Sequence, residues 1–239
     1  MLEIINLCKK FGQFSAVDQI NIKINAGDLY GFLGPNGAGK TTTIKMIVGL
    51  YNITSGKIKV NQMDSVLDSL EVKREIGYIP DQPYLYDRLT GQEYLAFCAG
   101  LYDLDKKIVK SKIEEMVELF KIEEWFYKRI EEYSQGMKQR ITFASAFLHD
   151  PSLLIIDEPM IGLDPQSAHI VKSILKQSAA NGKTIFMSTH SLNVVEEICN
   201  RVGIINKGVM IFDDDISKLH VMKTEMQNNF EELFIELTS

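Results

Sequence analysis

Apolar and polar residues alternate through the first part of the chain. Ile20, Ile22 and Ile24 occupy every second position, which predicts antiparallel strands with one face in water. The run Leu29–Leu33 is almost wholly apolar, which predicts a central strand that is buried on both faces. Glycines follow this strand and lead into a helical pattern over residues 41–50.

The pattern becomes almost wholly helical between residues 90 and 150. Thr90, with Glu93 three positions later, predicts a helix that begins with a capping box. Further along, apolar residues fall on one face of a second helix, at Val109, Ile113, Met116, Val117 and Phe120. We interpret residues 84–150 as a helical subdomain.

Strands and helices alternate again after Pro151. The predicted strands cover residues 153–156, 184–187 and 202–205, and the predicted helices cover residues 165–180 and 192–200. Such alternation is typical of a parallel sheet with helices on both faces. The sequence therefore predicts a single domain spanning 1–239, in which an α/β core formed by residues 1–83 and 151–239 carries the helical subdomain as an insertion.

Composition limits the function classes. The chain has 239 residues, of which 45% are hydrophobic, and a formal net charge of -6. It contains no apolar run long enough to cross a bilayer and no signal-peptide pattern, so we expect it in the cytosol. The acidic balance argues against a nucleic-acid partner. Cys8, Cys98 and Cys199 are too widely spaced for most zinc sites and odd in number, so we expect reduced core thiols.

A glycine-rich motif lies between the apolar strand and the first helix. Its pattern, G-x-x-x-x-G-K-[ST], is filled by Gly34, Pro35, Asn36, Gly37, Ala38, Gly39, Lys40 and Thr41. Glycines allow backbone N–H groups to wrap closely around phosphate oxygens, and the following helix N-terminus favours negative charge. The motif predicts a nucleotide site in which Lys40 contacts phosphates and the Thr41 hydroxyl ligates Mg²⁺. It does not separate a kinase from a GTPase or a transport ATPase.

Two acidic residues follow the strand over residues 153–156. Because ligands bind beyond the carboxyl ends of parallel strands, Asp157 and Glu158 are expected to share a site with the glycine-rich motif. Asp157 would hold Mg²⁺ through water, and Glu158 would polarise the water that attacks the γ-phosphate. His190 follows the next predicted strand, and this position fits either a hydrogen-bond donor to the same phosphate or a purely structural histidine.

The segment Tyr133-Ser134-Gln135-Gly136-Met137 resembles the signature of ATP-binding cassette (ABC) ATPases. The family's other motifs appear in order and with fitting spacing, at Phe11, Gly34 to Thr41, Pro80-Asp81-Gln82, Asp157-Glu158, Gly162-Leu163-Asp164 and His190. The resemblance implies an α/β P-loop NTPase (RecA-like) core, an antiparallel β subdomain and an inserted α-helical subdomain. It also implies ATP and Mg²⁺ as cofactors.

The resemblance assigns roles to individual residues. Lys40, Glu158 and His190 would be catalytic, and Thr41, Asp157 and Gln82 would bind Mg²⁺. Asp164 would couple the two sites of a dimer. ATP would be bound by Phe11, which stacks on the adenine, by Gly34, Pro35, Asn36, Gly37, Ala38, Gly39, Lys40, Thr41 and Thr42, and in trans by Ser134 and Gly136.

The sequence departs from the family pattern in two places. The usual signature Leu-Ser-Gly-Gly-Gln has Tyr133, Gln135 and Met137 at three of its positions, whereas Ser134 and Gly136 are kept. A serine and a glycine at a helix start still make an anion site. In the second departure Asp81 stands between Pro80 and Gln82, so either Asp81 or Gln82 fills the position of the family's glutamine.

Both departures resemble the ABC-2-type branch, which implies an ATPase subunit of an exporter. The ending over residues 230–238 resembles the terminal helix of that branch, although an amphipathic helix that only closes the domain would look the same. The implied partners are a multispanning membrane permease and a second ATPase subunit, in a homodimer or a heterodimer on the cytoplasmic face of the membrane. Candidate contacts with the permease are Tyr84, Tyr86, Trp125 and Phe126, unless these residues are core.

Two other functions remain open at this stage. One is a soluble ABC-type ATPase without a membrane partner, active in iron–sulfur assembly or on nucleic acid. The other is a P-loop kinase, which leaves the segment from Tyr133 to Arg140 unexplained.

Overall fold

The computed structural model describes residues 1–226. Its strands are β1 (Leu2–Phe11), β2 (Phe14–Ile24), β3 (Leu29–Leu33), β4 (Ser55–Val60), β5 (Met63–Asp64), β6 (Ile76–Ile79), β7 (Leu153–Asp157), β8 (Thr184–Thr189), β9 (Arg201–Asn206) and β10 (Val209–Asp215). Its helices are α1 (Lys40–Ile47), α2 (Ser69–Glu75), α3 (Gly91–Leu101), α4 (Lys106–Phe120), α5 (Gln135–Phe147), α6 (Pro165–Ala180), α7 (Leu192–Ile198) and α8 (Ile216–Met226).

The smaller sheet is antiparallel, with strand order β2-β1-β4-β5. In β2 the side chains of Ile20, Ile22 and Ile24 are buried, and the residues between them are exposed. The prediction of antiparallel strands with one wet face is therefore confirmed. Two phenylalanines, Phe11 and Phe14, face each other where β1 turns into β2.

The larger sheet has the order β10-β9-β3-β8-β7-β6. All its neighbouring strands pair in parallel except β9 and β10, so the predicted parallel sheet is confirmed. Strands β6 and β10 were not predicted from the sequence. The first is four residues long and the second is largely half-exposed, so neither carries a clear apolar signal.

The larger sheet separates two hydrophobic clusters. Leu29 and Leu33 of β3 belong to one cluster, whereas Tyr30 and Phe32 belong to the other. Every residue of β3 is buried. Since burial of a large apolar side chain contributes about 1.5–3 kcal/mol, this packing fixes β3 in the centre of the molecule. The position of the segment that follows β3 is therefore rigidly defined.

Helices α3, α4 and α5 lie between β6 and β7 in the chain. Thr90 caps α3 in a capping box with Glu93, as predicted. Ile113, Met116 and Phe120 of α4 are buried, and the Phe120 ring lies 5.3 Å from that of Phe147 in α5. These three helices pack around an apolar interior that continues into one of the two main clusters.

For two of the four candidate permease contacts, the structure supports the alternative that they are core residues. Trp125 and Phe126 are buried. Tyr133 holds this segment in place, because its hydroxyl donates to the carbonyl of Trp125 at 3.0 Å and its ring packs edge-on against the indole. Tyr84 and Tyr86 are exposed, so these two remain available to a partner.

Three further predictions concern the chain as a whole. Cys8, Cys98 and Cys199 are free and buried, as expected of core thiols. Among residues 1–226, no helix combines the length and the apolar character needed to span a bilayer. The predicted terminal helix over residues 230–238 lies outside the described residues.

Candidate active site

The glycine-rich loop connects β3 to α1. A side chain at Gly34 would place its Cβ atom 2.4 Å from the carbonyl oxygen of Ile205. Gly39 has φ of 113°, and a Cβ atom there would lie 2.7 Å from the carbonyl oxygen of Ala16. Only glycine fits such positions, because the backbone passes too close to neighbouring strands. Close packing against these strands therefore holds the loop in place at the N-terminus of α1.

Lys40 is buried at the first position of α1. Its ammonium donates to the carbonyls of Gly34 at 2.7 Å and Pro35 at 3.2 Å, and it lies 3.8 Å from a carboxylate oxygen of Glu158. Burial lowers the pKa of the Lys40 ammonium, and the carboxylates of Glu158 and Asp157 oppose that shift. The Lys40 ammonium therefore lies at the buried end of the site.

Asp157 ends β7 and is buried. The hydroxyl of Ser188 in β8 donates to its Oδ1 atom, whereas Oδ2 is buried without a hydrogen-bond partner. Burial raises the pKa of the Asp157 carboxyl, and the hydrogen bond from Ser188 opposes the rise. An unpaired buried oxygen is costly unless another group meets it.

These oxygen ligands fit a magnesium ion. Mg²⁺ is usually held by one or two protein oxygens together with water and phosphate oxygens, and the Thr41 hydroxyl and Asp157 Oδ2 would supply the protein part. Residues 1–226 contain no cluster of three or more His, Cys, Asp and Glu side chains suited to a metal. A Mg²⁺ ion at this position would take its remaining ligands from water and phosphate oxygens.

Glu158 adopts an unusual backbone conformation. Its φ is 50°, which costs a non-glycine residue about 1–2 kcal/mol. The Glu158 N–H group donates to the carbonyl and to the hydroxyl of Ser188, both at 3.2 Å. His190 Nδ1 lies 3.0 Å from each Glu158 carboxylate oxygen. Glu158 is thus oriented between Lys40 and His190, as the order of the strands led us to expect.

A cavity of about 510 Å³ opens over these residues. The predicted site residues that line it are Phe11, Asn36, Gly37, Gly39, Lys40, Thr41, Thr42, Glu158 and His190. Asp81 lines it as well, but Gln82 does not. Of the two candidates for the family's glutamine position, Asp81 is therefore the one that faces the site.

Ser134 and Gly136 lie at the N-terminus of α5, outside the residues that line the cavity. The Ser134 hydroxyl accepts the Met137 N–H at 3.3 Å, and Met137 Sδ accepts the Ser134 N–H at 3.4 Å. A Cβ atom at Gly136 would lie 2.9 Å from Asp164 Oδ2. Asp164 itself caps α6. The signature and Asp164 thus form a second cluster, separate from the glycine-rich loop.

Sequence reasoning missed two residues of the site. Ser188, which contacts both Asp157 and Glu158, lies in an apolar strand where its hydroxyl gives no periodic signal. Phe14 lines the cavity beside Phe11, and the two-residue spacing of the turn between them was the available signal.

Comparison with known proteins points to one family. A family model described as "ABC transporter" matches residues 17–161. The linearmycin resistance ATP-binding protein of Bacillus subtilis is 39% identical over 88% of this chain and 68% of its own length. The bacitracin transport ATP-binding protein of Bacillus licheniformis is 39% identical over 88% of this chain and 68% of its own length.

Solved structures agree with these relatives. An ATP-binding subunit of an ABC transporter matches with a TM-score of 0.91 and 30% identity, over 100% of both chains. A dimeric ATP-binding cassette in a post-hydrolysis state with ADP and Pi matches with a TM-score of 0.81 and 24% identity, over 90% of this chain and 99% of its own. At 24% identity, the match to the second structure is evidence for the fold alone.

Ser188→Ala tests the arrangement of the two acidic residues. The variant leaves Asp157 Oδ1 unpaired, whereas the Glu158 N–H keeps its bond to the carbonyl of residue 188. The Asp157 carboxylate is then free to move, and its Oδ2 atom no longer meets a cation at the same point. We expect ATP binding in the presence of Mg²⁺ to weaken by about 10–100-fold, whereas binding in EDTA changes little. Titration of a fluorescent ATP analogue under both conditions measures this.

Ser145→Ala is the matched control, because it removes a part-buried serine hydroxyl of α5, which bonds to the Thr142 carbonyl and does not line the cavity over Lys40. An equal effect of Mg²⁺ on Ser188→Ala and on the wild-type chain would contradict the role of Ser188.

Proposed function

The chain belongs to the ABC transporter family, as an ATP-binding and ATP-hydrolysing subunit, and from that premise we propose that two subunits share each ATP. The glycine-rich loop of one subunit faces Ser134 and Gly136 of the other. The observation that supports this most directly is the separation of the two clusters in one chain, since Ser134 and Gly136 lie outside the cavity over Lys40. A single chain therefore offers only part of a phosphate-binding shell.

The proposed dimer completes that shell with the N-terminus of α5. Exposed N–H groups and the helix dipole favour an anion there, and the Ser134 hydroxyl adds a polar contact. The γ-phosphate of an ATP bound over Lys40 supplies the negative charge. ATP thus joins the two halves, and loss of the γ-phosphate releases them.

Within one site we assign the chemistry to Glu158. Lys40 and His190 contact Glu158, and both are suited to hold the γ-phosphate instead. When they do, the Glu158 carboxylate is free to accept a proton from water. The water oxygen bonds to the γ-phosphorus, the bond from phosphorus to the ADP oxygen breaks, and ADP leaves with the bond's electron pair.

We assign the Mg²⁺ site to the Thr41 hydroxyl and Asp157 Oδ2. The ion would neutralise charge on the phosphate oxygens. Asp81, at the edge of the cavity, is the proposed sensor of the bound nucleotide in place of Gln82. Asp164, beside Gly136, is the proposed link between the two sites of the dimer.

We propose export as the transport direction and a multispanning permease as the membrane partner. The names of the relatives describe linearmycin resistance and bacitracin transport, and resistance to a compound is served by its removal. These relatives favour a transporter over a soluble ATPase of iron–sulfur assembly or nucleic-acid metabolism. The chain would then work at the cytoplasmic face of the membrane.

An apolar groove between α1, α2 and α3 is the proposed permease contact. Leu50, Leu70 and Leu101 line its cavity of about 400 Å³ and are 61%, 58% and 66% exposed. Lys73 and Arg74 also line the groove. Exposed apolar side chains with charged neighbours fit an amphipathic helix of a partner. Tyr84 and Tyr86, predicted from the sequence, are exposed in the segment just before α3.

Glu158→Gln tests the assignment of the general base and the dimer together. The amide cannot accept the proton from water, so we expect turnover to fall by about 10²–10⁴-fold while ATP still binds. A dimer should then accumulate in ATP and be detected by light scattering. The exposed Glu118→Gln in α4 is the matched control. Hydrolysis by Glu158→Gln at the wild-type rate would remove Glu158 from this role.

Leu101→Glu tests the groove. A charge in the apolar contact should abolish co-purification of a multispanning protein from detergent-solubilised membranes, and ATP hydrolysis by the isolated chain should be unchanged. Ile108→Glu, at an exposed apolar position of α4 outside the groove, is the control and should co-purify normally. Recovery of a soluble scaffold in place of a membrane protein would contradict the transporter proposal.

A further inference from the structure

The turn between β1 and β2 places two phenylalanines beside the nucleotide cavity. Phe11 is the last residue of β1 and Phe14 the first of β2, and they are direct partners in the antiparallel register. Directly opposed residues project from the same face of a sheet, with Cβ atoms about 4.5–5.5 Å apart. Both side chains line the cavity that contains Lys40.

The two rings differ in their surroundings. The Phe11 ring packs edge-on against Tyr51, with centroids 5.7 Å apart, and the Lys9 ammonium lies 4.8 Å from its centroid. Lys9 is fixed in turn by donation to the Asn52 carbonyl at 2.7 Å. Phe11 is therefore already supported on one side by its neighbours.

Phe14 has no such support. Its side chain is 66% exposed, against 46% for Phe11, and no aromatic or cationic group of the described chain packs on its ring. An exposed aromatic ring at the rim of a ligand cavity is a favourable surface for a planar ligand.

We propose that Phe14 is a second adenine-binding residue, which forms a two-ring platform with Phe11. The inference rests on the proposed function, because it requires ATP to bind with its phosphates on the loop before α1. The adenine then covers the exposed Phe14 ring and contacts Phe11, which Tyr51 and Lys9 hold in place. The platform adds affinity for the base and none for the phosphates.

Calorimetric titration of the full chain with two ligands, Mg²⁺-ATP and inorganic tripolyphosphate, tests this. Loss of one base–aromatic stack corresponds to about a tenfold change in affinity. Phe14→Ala should therefore bind ATP about tenfold more weakly and bind tripolyphosphate as the wild-type chain does. Phe14→Trp, which keeps an aromatic face, should restore ATP binding.

Two controls separate the possible failures. Phe97→Ala removes another exposed phenylalanine, far along the chain in α3, and should leave both ligands unaffected. Lys40→Ala should weaken both ligands, and unchanged binding by that variant would overturn the proposed nucleotide site itself. ATP affinity of Phe14→Ala equal to that of the wild-type chain, with Lys40→Ala impaired, would overturn the role of Phe14 alone. Equal weakening of ATP and tripolyphosphate by Phe14→Ala would also overturn it.

Discussion

Strand β8 pairs in parallel with β3 on one side and with β7 on the other, and the active site depends on that pairing. Parallel strands end at the same edge of the sheet. Three groups therefore lie together at this edge of the sheet. They are the glycine-rich loop after β3, the acidic pair at the end of β7 and His190 after β8. Ser188 in β8 connects the strands chemically, because it bonds to both Asp157 and Glu158. A shift in this register would separate Lys40 and His190 from Glu158, which both of them contact.

Packing supplies the free energy that holds polar groups in unfavourable places. The three strands are buried throughout, and each contributes side chains to clusters on both faces of the sheet. That rigid base keeps Lys40 buried, Glu158 at positive φ and one Asp157 oxygen unpaired. Taken by itself, each of these features lowers the stability of the fold. Each of them is also suited to binding a nucleotide with Mg²⁺. These groups are held in place before a ligand binds, so the site is preorganised for a charged ligand.

Local sequence patterns predicted much of the fold, but they did not predict contacts between segments that are distant in the chain. The buried strand, the capping box at Thr90 and the bounds of α6 follow from short-range periodicity and capping. The sequence left open whether Trp125 and Phe126 are surface contacts or core, and they are buried because Tyr133, which replaces the family's leucine, packs against this segment. The contacts of Ser188 arise only when β7 and β8 pair. Phe14 is recognised as a site residue only from the structure, in which the turn places it beside Phe11.

The division of the phosphate-binding groups into two clusters is the central feature of the proposed mechanism, and a mixing experiment tests it most directly. Lys40→Ala removes the loop's cation, and Ser134→Glu, at an exposed helix cap, sets a carboxylate against the phosphate. Each variant alone should hydrolyse no ATP. In a mixed dimer, one site combines the intact loop of the Ser134→Glu subunit with the intact signature of the Lys40→Ala subunit. Mixing the two inactive chains should therefore restore ATP hydrolysis, and a mixture as inactive as its components would contradict a site shared between two subunits.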